Sequence, residues 1–218
     1  MTAKPATGDL GPEPRRDCPL CPRLVAFRAE NRAAHPDWFN GPAPSFGDPM
    51  ARLLIVGLAP GRYGANRTGR PFTGDFAGVL LYETLVGAGF AVGRYEARAD
   101  DGLTLIDCMI TNAVRCVPPG NKPSPDEEAA CRPFLRTRIG ALSHLKVIVT
   151  LGDVARRNVA RALGQSPGPG GHGTEMSLGA YHLINSYHCS RLNTNTGRLT
   201  TPMFEAVFQR ARELLGTA

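Results

Sequence analysis

The residues best suited to chemistry fall into four groups. Four of the six cysteines, Cys18, Cys21, Cys116 and Cys131, come from three segments. The first two form a C-x-x-C pair; the other two bracket a Pro-rich stretch, with fourteen residues between them. Four thiolates can hold a tetrahedral zinc or a cubane iron–sulfur cluster. Zinc ribbons use two close pairs, so the wide second spacing favours the cluster. Cys108, inside an apolar run, and Cys189, beside a histidine, read as packing residues.

The second group is the loop from Gly57 to Asp75, GLAPGRYGANRTGRPFTGD. A Gly-rich strand-to-helix loop can cradle phosphate through its backbone N–H groups. This one lacks the Gly-Lys-Ser/Thr ending of a P-loop and the G-x-G-x-x-G dinucleotide fingerprint. At nineteen residues it is long for such a connection; the plainer alternative is a surface loop of several turns. Within it, Phe72 is either packed beneath the loop or a platform for a nucleobase, a contact worth ~1–3 kcal/mol. Asp75 is either a helix N-cap or a functional carboxylate. The third group, Asn112 and Arg115, follows a strand. The Asn carboxamide can read a base edge or bond its own turn. The fourth is Tyr187-His188-Cys189-Ser190-Arg191-Leu192-Asn193. His188 is a structural hydrogen-bonder or a catalytic group. Leu192 is a buried loop residue or an apolar wedge of the kind that fills the gap left by a flipped base.

These groups need elements to position them. Four apolar runs, Arg52 to Gly57, Leu103 to Thr111, Lys146 to Leu151 and Tyr181 to Tyr187, read as buried strands. Helical patterns separate or follow them: Phe76 to Gly87, Pro125 to Ile139, Asp153 to Leu163, and Pro202 to Leu215 with Thr201 as cap. The second opens with Ser124 as N-cap, Pro125 at the first position and Glu127 completing a capping box. In the last, Phe204, Val207, Phe208, Ala211 and Leu215 share one face. A short helix is expected around Leu24 to Phe27, and Ala34 to Met50 reads as loop. Strands alternating with helices imply a parallel sheet covered on both faces, with ligands beyond the carboxyl ends of its strands. The loops 57–75, 112–125 and 188–202 all follow strand ends and are expected to converge.

The length, 218 residues, suits one medium domain. Residues 1–16, polar and rich in Pro and Gly, read as a flexible tail ahead of a single domain over 17–218. That tail lacks the apolar core of a signal peptide, and no apolar run spans a bilayer, so the bacterial cytosol or nucleoid is the expected setting. A net charge of +6 and a pI near 9.2 suit a phosphate-bearing partner.

Together the motifs resemble the uracil-DNA glycosylase superfamily. Gly57-Leu58-Ala59-Pro60-Gly61 through Pro71-Phe72-Thr73-Gly74-Asp75 is similar to the first motif of family 5, the UDGb type. His188-Cys189-Ser190-Arg191-Leu192-Asn193-Thr194 with Thr196 to Thr200 is similar to its second. Asn112-Ala113-Val114-Arg115-Cys116 with Pro118-Pro119, Asn121-Lys122-Pro123 and Cys131 resembles the cluster-bearing segment of families 4 and 5. The resemblance implies an α/β fold, three-layer α/β/α with a four-stranded parallel central sheet. It implies a 4Fe–4S cluster, rather than zinc, on Cys18, Cys21, Cys116 and Cys131. It implies Asp75 and His188 as catalytic residues, and Gly57, Ala59, Gly61, Phe72, Asn112, Ser190, Arg191, Leu192 and Asn193 as substrate contacts. The implied activity is monofunctional hydrolysis of the N-glycosidic bond of deaminated bases in DNA by a monomer: uracil, hypoxanthine, xanthine and modified pyrimidines. The chain departs from the pattern at Leu58, where family 4 carries an acid, and at Cys189, where the second motif often has Pro. Asn112 matches the base-reading Asn of family 4, a position at which family 5 varies. The competing expectations are a catalytically inactive iron–sulfur DNA-binding protein of the same fold and a small iron–sulfur electron carrier.

Overall fold

In a computed structural model of the chain, residues 11–216 are described. In chain order the elements are α1 (Pro22–Ala34), β1 (Phe46–Gly47), β2 (Leu53–Gly57), α2 (Ala65–Thr68), α3 (Phe76–Gly87), β3 (Ala91–Val92), β4 (Thr104–Leu105), β5 (Cys108–Asn112), α4 (Pro125–Ala141), β6 (Val147–Leu151), α5 (Asp153–Ala162), β7 (Thr174–Leu178), β8 (Tyr181–Ser186), α6 (Arg191–Asn195) and α7 (Thr201–Leu215). The main sheet runs β1-β5-β2-β6-β8-β7, and its four central strands are mutually parallel. Alternate residues of β2 point to opposite cores. Leu53 and Ile55 join Leu81 and Leu85 of α3 and Phe204 and Phe208 of α7. Leu54 and Val56 join Leu135 and Ile139 of α4 and Ala155 and Val159 of α5. With apolar residues on both faces, these strands need helices above and below, which gives the three layers.

The expected four-stranded parallel centre is present within a sheet of six strands. The parallel centre is as expected, and antiparallel β1 and β7 flank it. β1 lies in the segment read as loop; β7 turns tightly into β8 through Gly179, whose φ is +63°. The run Leu103 to Thr111 is two strands, because Asp107 adopts φ +53° and its carboxylate bonds Arg52. The cap of α7 is Thr200 rather than Thr201, its side chain accepting from the Met203 amide. Of the expected tail, residues 1–10 lie outside the described residues. Residues 11–16 are not loose: Glu13 pairs with buried Arg115 at 2.9 Å and with Arg138 at 2.5 Å.

After β2 the chain moves first to β5 on one side and later to β6 on the other. The C-terminal end of β2 is therefore a topological switch point, where doubly wound sheets form a crevice. The long loop leaving β2 is braced from within. Arg70 is buried, makes two 2.7 Å bonds to the Asp101 carboxylate and one of 2.7 Å to Thr73 Oγ1, and lies over the rings of Phe46 and Tyr82. Arg70 in turn holds the Asp101 carboxyl well below the usual carboxylate range. Removing one partner of such a pair strands the other charge. Arg70→Met should therefore lower the unfolding free energy by roughly 3–5 kcal/mol in urea titrations at neutral pH. Because the folded-state value of Asp101 is depressed, the gap between variant and parent should narrow as acid protonates that carboxyl. A loss under ~1 kcal/mol would mean the loop is held elsewhere.

Candidate active site

A cleft of about 670 Å³ opens beyond the carboxyl ends of the central strands. Its walls come from all three loops expected to converge: Leu58 to Gly64, Phe72 and Asp75 after β2; Asn112, Pro118, Gly120 and Asn121 after β5; His188, Ser190 and Arg191 after β8.

Asp75 is the one carboxylate among the described residues lining this cleft. It is the N-cap of α3, its Oδ1 accepting from the Gly78 amide at 3.2 Å. The cap and cleft roles are therefore compatible: one oxygen is tied to the helix, and Oδ2 faces Gly61 and Gly64. A Cβ on Gly64 would stand 2.3 Å from Oδ2, so only glycine leaves room for the carboxylate there. Burial pushes the Asp75 carboxyl above the usual range, against a smaller pull from the Gly78 and Ala77 amides.

His188 lines the same cleft from the loop after β8. Its ring centroid is 5.9 Å from that of Phe72. Among the described residues nothing hydrogen-bonds to the imidazole, and burial alone pulls its pKa down to about 4. It is therefore a neutral ring at physiological pH, with one N–H to donate. The loop that carries it is self-braced: Asn193 Nδ2 donates to the His188 carbonyl at 2.8 Å, and Ser190 caps α6. Cys189 is fully buried in the core under α7.

Asn112 ends β5 with its side chain 2 % exposed, and among the described residues its Oδ1 has no hydrogen-bond partner. A buried carboxamide left open on a cleft is poised for a ligand, since folded proteins rarely leave such atoms unpaired. Phe72, at φ +53°, packs beside it. That backbone strain is held by Tyr95, whose hydroxyl donates to the Phe72 carbonyl, and by Tyr82, which bonds the Pro71 carbonyl at 2.6 Å. Gly57 lies beneath both. A Cβ there would meet Asn112 Oδ1 and Phe72 Cζ at 2.5 Å.

Of the expected contacts, Ala59, Gly61, Phe72, Asn112, Ser190 and Arg191 line the cleft together with Asp75 and His188. Gly57 does not line the cleft; it is buried beneath Phe72 and Asn112. Asn193 faces a neighbouring cavity of about 570 Å³, and Leu192 projects from α6 into solvent, 73 % exposed. Sequence reasoning missed Tyr63, Phe27 and Asn121 on the walls. Asn121 could have been found, because the Gly120-Asn121 pair marks a left-handed turn (φ +61° and +57°). Nothing local marked the Arg70–Asp101 brace.

The four cysteines meet in a separate apolar cluster. Cys18, Cys21 and Cys116 pack against Cys131, Leu24, Val114 and Phe134. Among the described residues no three His, Cys, Asp or Glu side chains converge as on a single metal ion. The Arg115 amide donates to Cys131 Sγ at 3.3 Å, and Arg28 donates to Cys116 Sγ at 3.6 Å. As free thiols, Cys21 and Cys116 are raised by burial to about 11 and Cys131 to about 12. Ala59 packs on this cluster while also lining the cleft.

Comparison with known proteins matches residues 44–212 to the family model of the uracil DNA glycosylase superfamily. The type-5 uracil-DNA glycosylase of Thermus thermophilus is 47 % identical over 208 residues, covering 91 % of this chain and 94 % of that protein. The corresponding protein of Mycobacterium tuberculosis is 43 % identical over 210 residues, 91 % of this chain and 78 % of the relative. A type-4 uracil-DNA glycosylase of Sulfurisphaera tokodaii is 35 % identical over 124 residues, 56 % and 50 % of the two chains.

The geometry predicts two titrations readable by NMR. His188 should stay neutral down to about pH 4. Between about 6.5 and 4 the unfolded chain then binds the proton and the fold does not, so stability falls as pH drops through that window. An inflection near 6.5 would mean the ring is solvated. The Asp75 carboxyl should titrate above an ordinary Asp, and Gly64→Ala, which displaces it, should return it toward the ordinary value.

Proposed function

The chain belongs to the uracil-DNA glycosylase superfamily, and we propose that it removes uracil from DNA and that the same cleft accepts hypoxanthine, xanthine and modified pyrimidines. One arrangement carries this function: a desolvated carboxylate, a neutral imidazole, an unpartnered carboxamide and an aromatic ring open on a single cleft. A flipped base fits between such groups.

DNA lies across the cleft, with arginines and loop N–H groups on its phosphates. The damaged nucleotide turns out of the stack, and Leu192, already in solvent, enters the vacancy. Its base rests against Phe72, and the Asn112 carboxamide meets its edge. As the C1′–N bond breaks, its electron pair passes to the base and the sugar gains oxocarbenium character. The His188 N–H stabilises the charge on the departing base, as an oxyanion donor does. Asp75 orients the water whose oxygen bonds C1′ and stabilises the cationic sugar. With Leu58 apolar, no second acid shares that task. The water's proton balances the base anion, leaving free base and an abasic site. One base-reading carboxamide makes few base-specific bonds, so leaving-group quality and ease of flipping select the substrate.

The four cysteines suit a 4Fe–4S cluster. Cys18, Cys21, Cys116 and Cys131 would hold it, with the Arg115 amide donating to the Cys131 sulfur and Arg28 to the Cys116 sulfur. When bound, the cluster supplies a cross-link between the N-terminal segment and the Cys116–Cys131 stretch, and hydrolysis needs no electron from it.

Duplexes carrying one uracil or one hypoxanthine, incubated with the protein and cleaved with alkali, should show strand breaks at the lesion. No abasic product from any deaminated base would sink the proposal. Asp75→Asn and His188→Ala should each slow single-turnover release by about 10²–10⁴-fold. A near-normal rate in Asp75→Asn would leave that residue as a cap only. Pure protein should carry iron with broad visible absorbance, both lost in Cys131→Ser; zinc in its place would reject the cluster.

A further inference from the structure

An aromatic ledge stands at the lip of the cleft, outside the catalytic groups. Tyr63 is 61 % exposed although it lines the cleft. Trp38 packs edge-on against it with ring centroids 5.6 Å apart. His35 stacks on Trp38 at 3.8 Å and 8°. The Arg62 guanidinium lies over the Tyr63 ring at 5.6 Å and is held there by Asn31, its Nε donating to Asn31 Oδ1 at 2.8 Å.

The ledge is built rather than incidental. Residues 35–40 are pinned to α2 and the loop that carries Tyr63. The Phe39 amide donates to the Arg67 carbonyl and the Asn40 amide to the Asn66 carbonyl, each at 2.9 Å. The Asn66 carboxamide also bonds Asn40 Oδ1 at 3.0 Å. An aromatic ring left largely in water, stiffened from behind and paired with an arginine, is what single-stranded nucleic acid binds. Bases stack on the ring while the cation meets the backbone.

We propose that Tyr63, backed by Trp38, is a stacking platform for the nucleobase next to the flipped nucleotide on the same strand. This rests on the DNA glycosylase function above. In duplex DNA that base is already stacked on its neighbours and gains little from the ring. In a single strand it lacks that support, so the platform favours unpaired substrate.

Trp38 is the sole tryptophan of the chain and reports directly on the ledge. Titration with a uracil-free oligothymidine should quench its fluorescence in the wild type and in Tyr63→Phe. Tyr63→Ala, which removes an exposed ring and should melt like the parent, should bind about 5- to 10-fold more weakly. On a single-stranded uracil substrate its loss should fall on KM rather than kcat, by the same factor, and on the matched duplex it should be under about twofold. If the wild type releases uracil while Tyr63→Ala leaves oligothymidine binding and single-strand KM unchanged, the platform is wrong and the glycosylase function stands. Equal losses on single strand and duplex also overturn it. If the wild type releases no base from any substrate, the glycosylase function fails, and the oligothymidine titration alone still decides whether Tyr63 takes a base.

Discussion

Around the C-terminal end of β2, two groups from distant parts of the chain share a space that a single methyl group would fill. Asn112 arrives from β5 and Phe72 from the loop after β2, and both close over Gly57 to within contact of where its Cβ would be. Gly64 does the same for the Asp75 carboxylate. The switch point makes a crevice in any doubly wound sheet, but these two missing side chains turn it into a site with functional groups on its floor. The strain at Phe72 and the buried Arg70–Asp101 brace follow from that crowding: a loop pressed this closely onto a strand end needs internal support to keep its shape.

Burial tunes Asp75 and His188 in opposite directions. It raises the Asp75 carboxyl and lowers the His188 imidazole, each toward its neutral form. For the histidine the outcome is a neutral donor throughout the physiological range. For the aspartate, two backbone amides partly offset the desolvation, so the same contacts that cap α3 help to keep a negative charge available in the cleft. Capping α3 does not withdraw Asp75 from the cleft: one oxygen holds the helix and the other stays beside Gly61 and Gly64.

The N-terminal segment belongs to the same support system. Glu13 neutralises Arg115, whose backbone amide bonds Cys131, and Ala59 packs between the cysteine cluster and the cleft. The packing of the cysteine cluster therefore bears on the start of the loop after β2 through a single residue.

Local pattern determined a good deal of this protein. Apolar runs located three of the four parallel strands to within a residue of their ends, because strands buried on both faces must be apolar throughout; for β5 only the C-terminal end was located, since the run from Leu103 breaks at Asp107. The Ser124–Glu127 box marked the start of α4, because capping is satisfied within four residues. The long motifs, with Asp75 and His188 inside them, were legible as text. What the sequence left open was decided by contacts between segments far apart in the chain. Of the edge strands, β1 is only two residues long and β7 is largely polar, so neither has a local apolar signal and each is defined by the neighbour that supplies its hydrogen bonds. Arg70 finds Asp101, and Glu13 finds Arg115, across separations of 31 and 102 residues. Whether Asp75 caps or lines a cleft, whether Asn112 bonds its own turn or stands open, and whether Leu192 is buried or projecting depend on which walls close around them. That is a property of packing in three dimensions, and no local pattern encodes it.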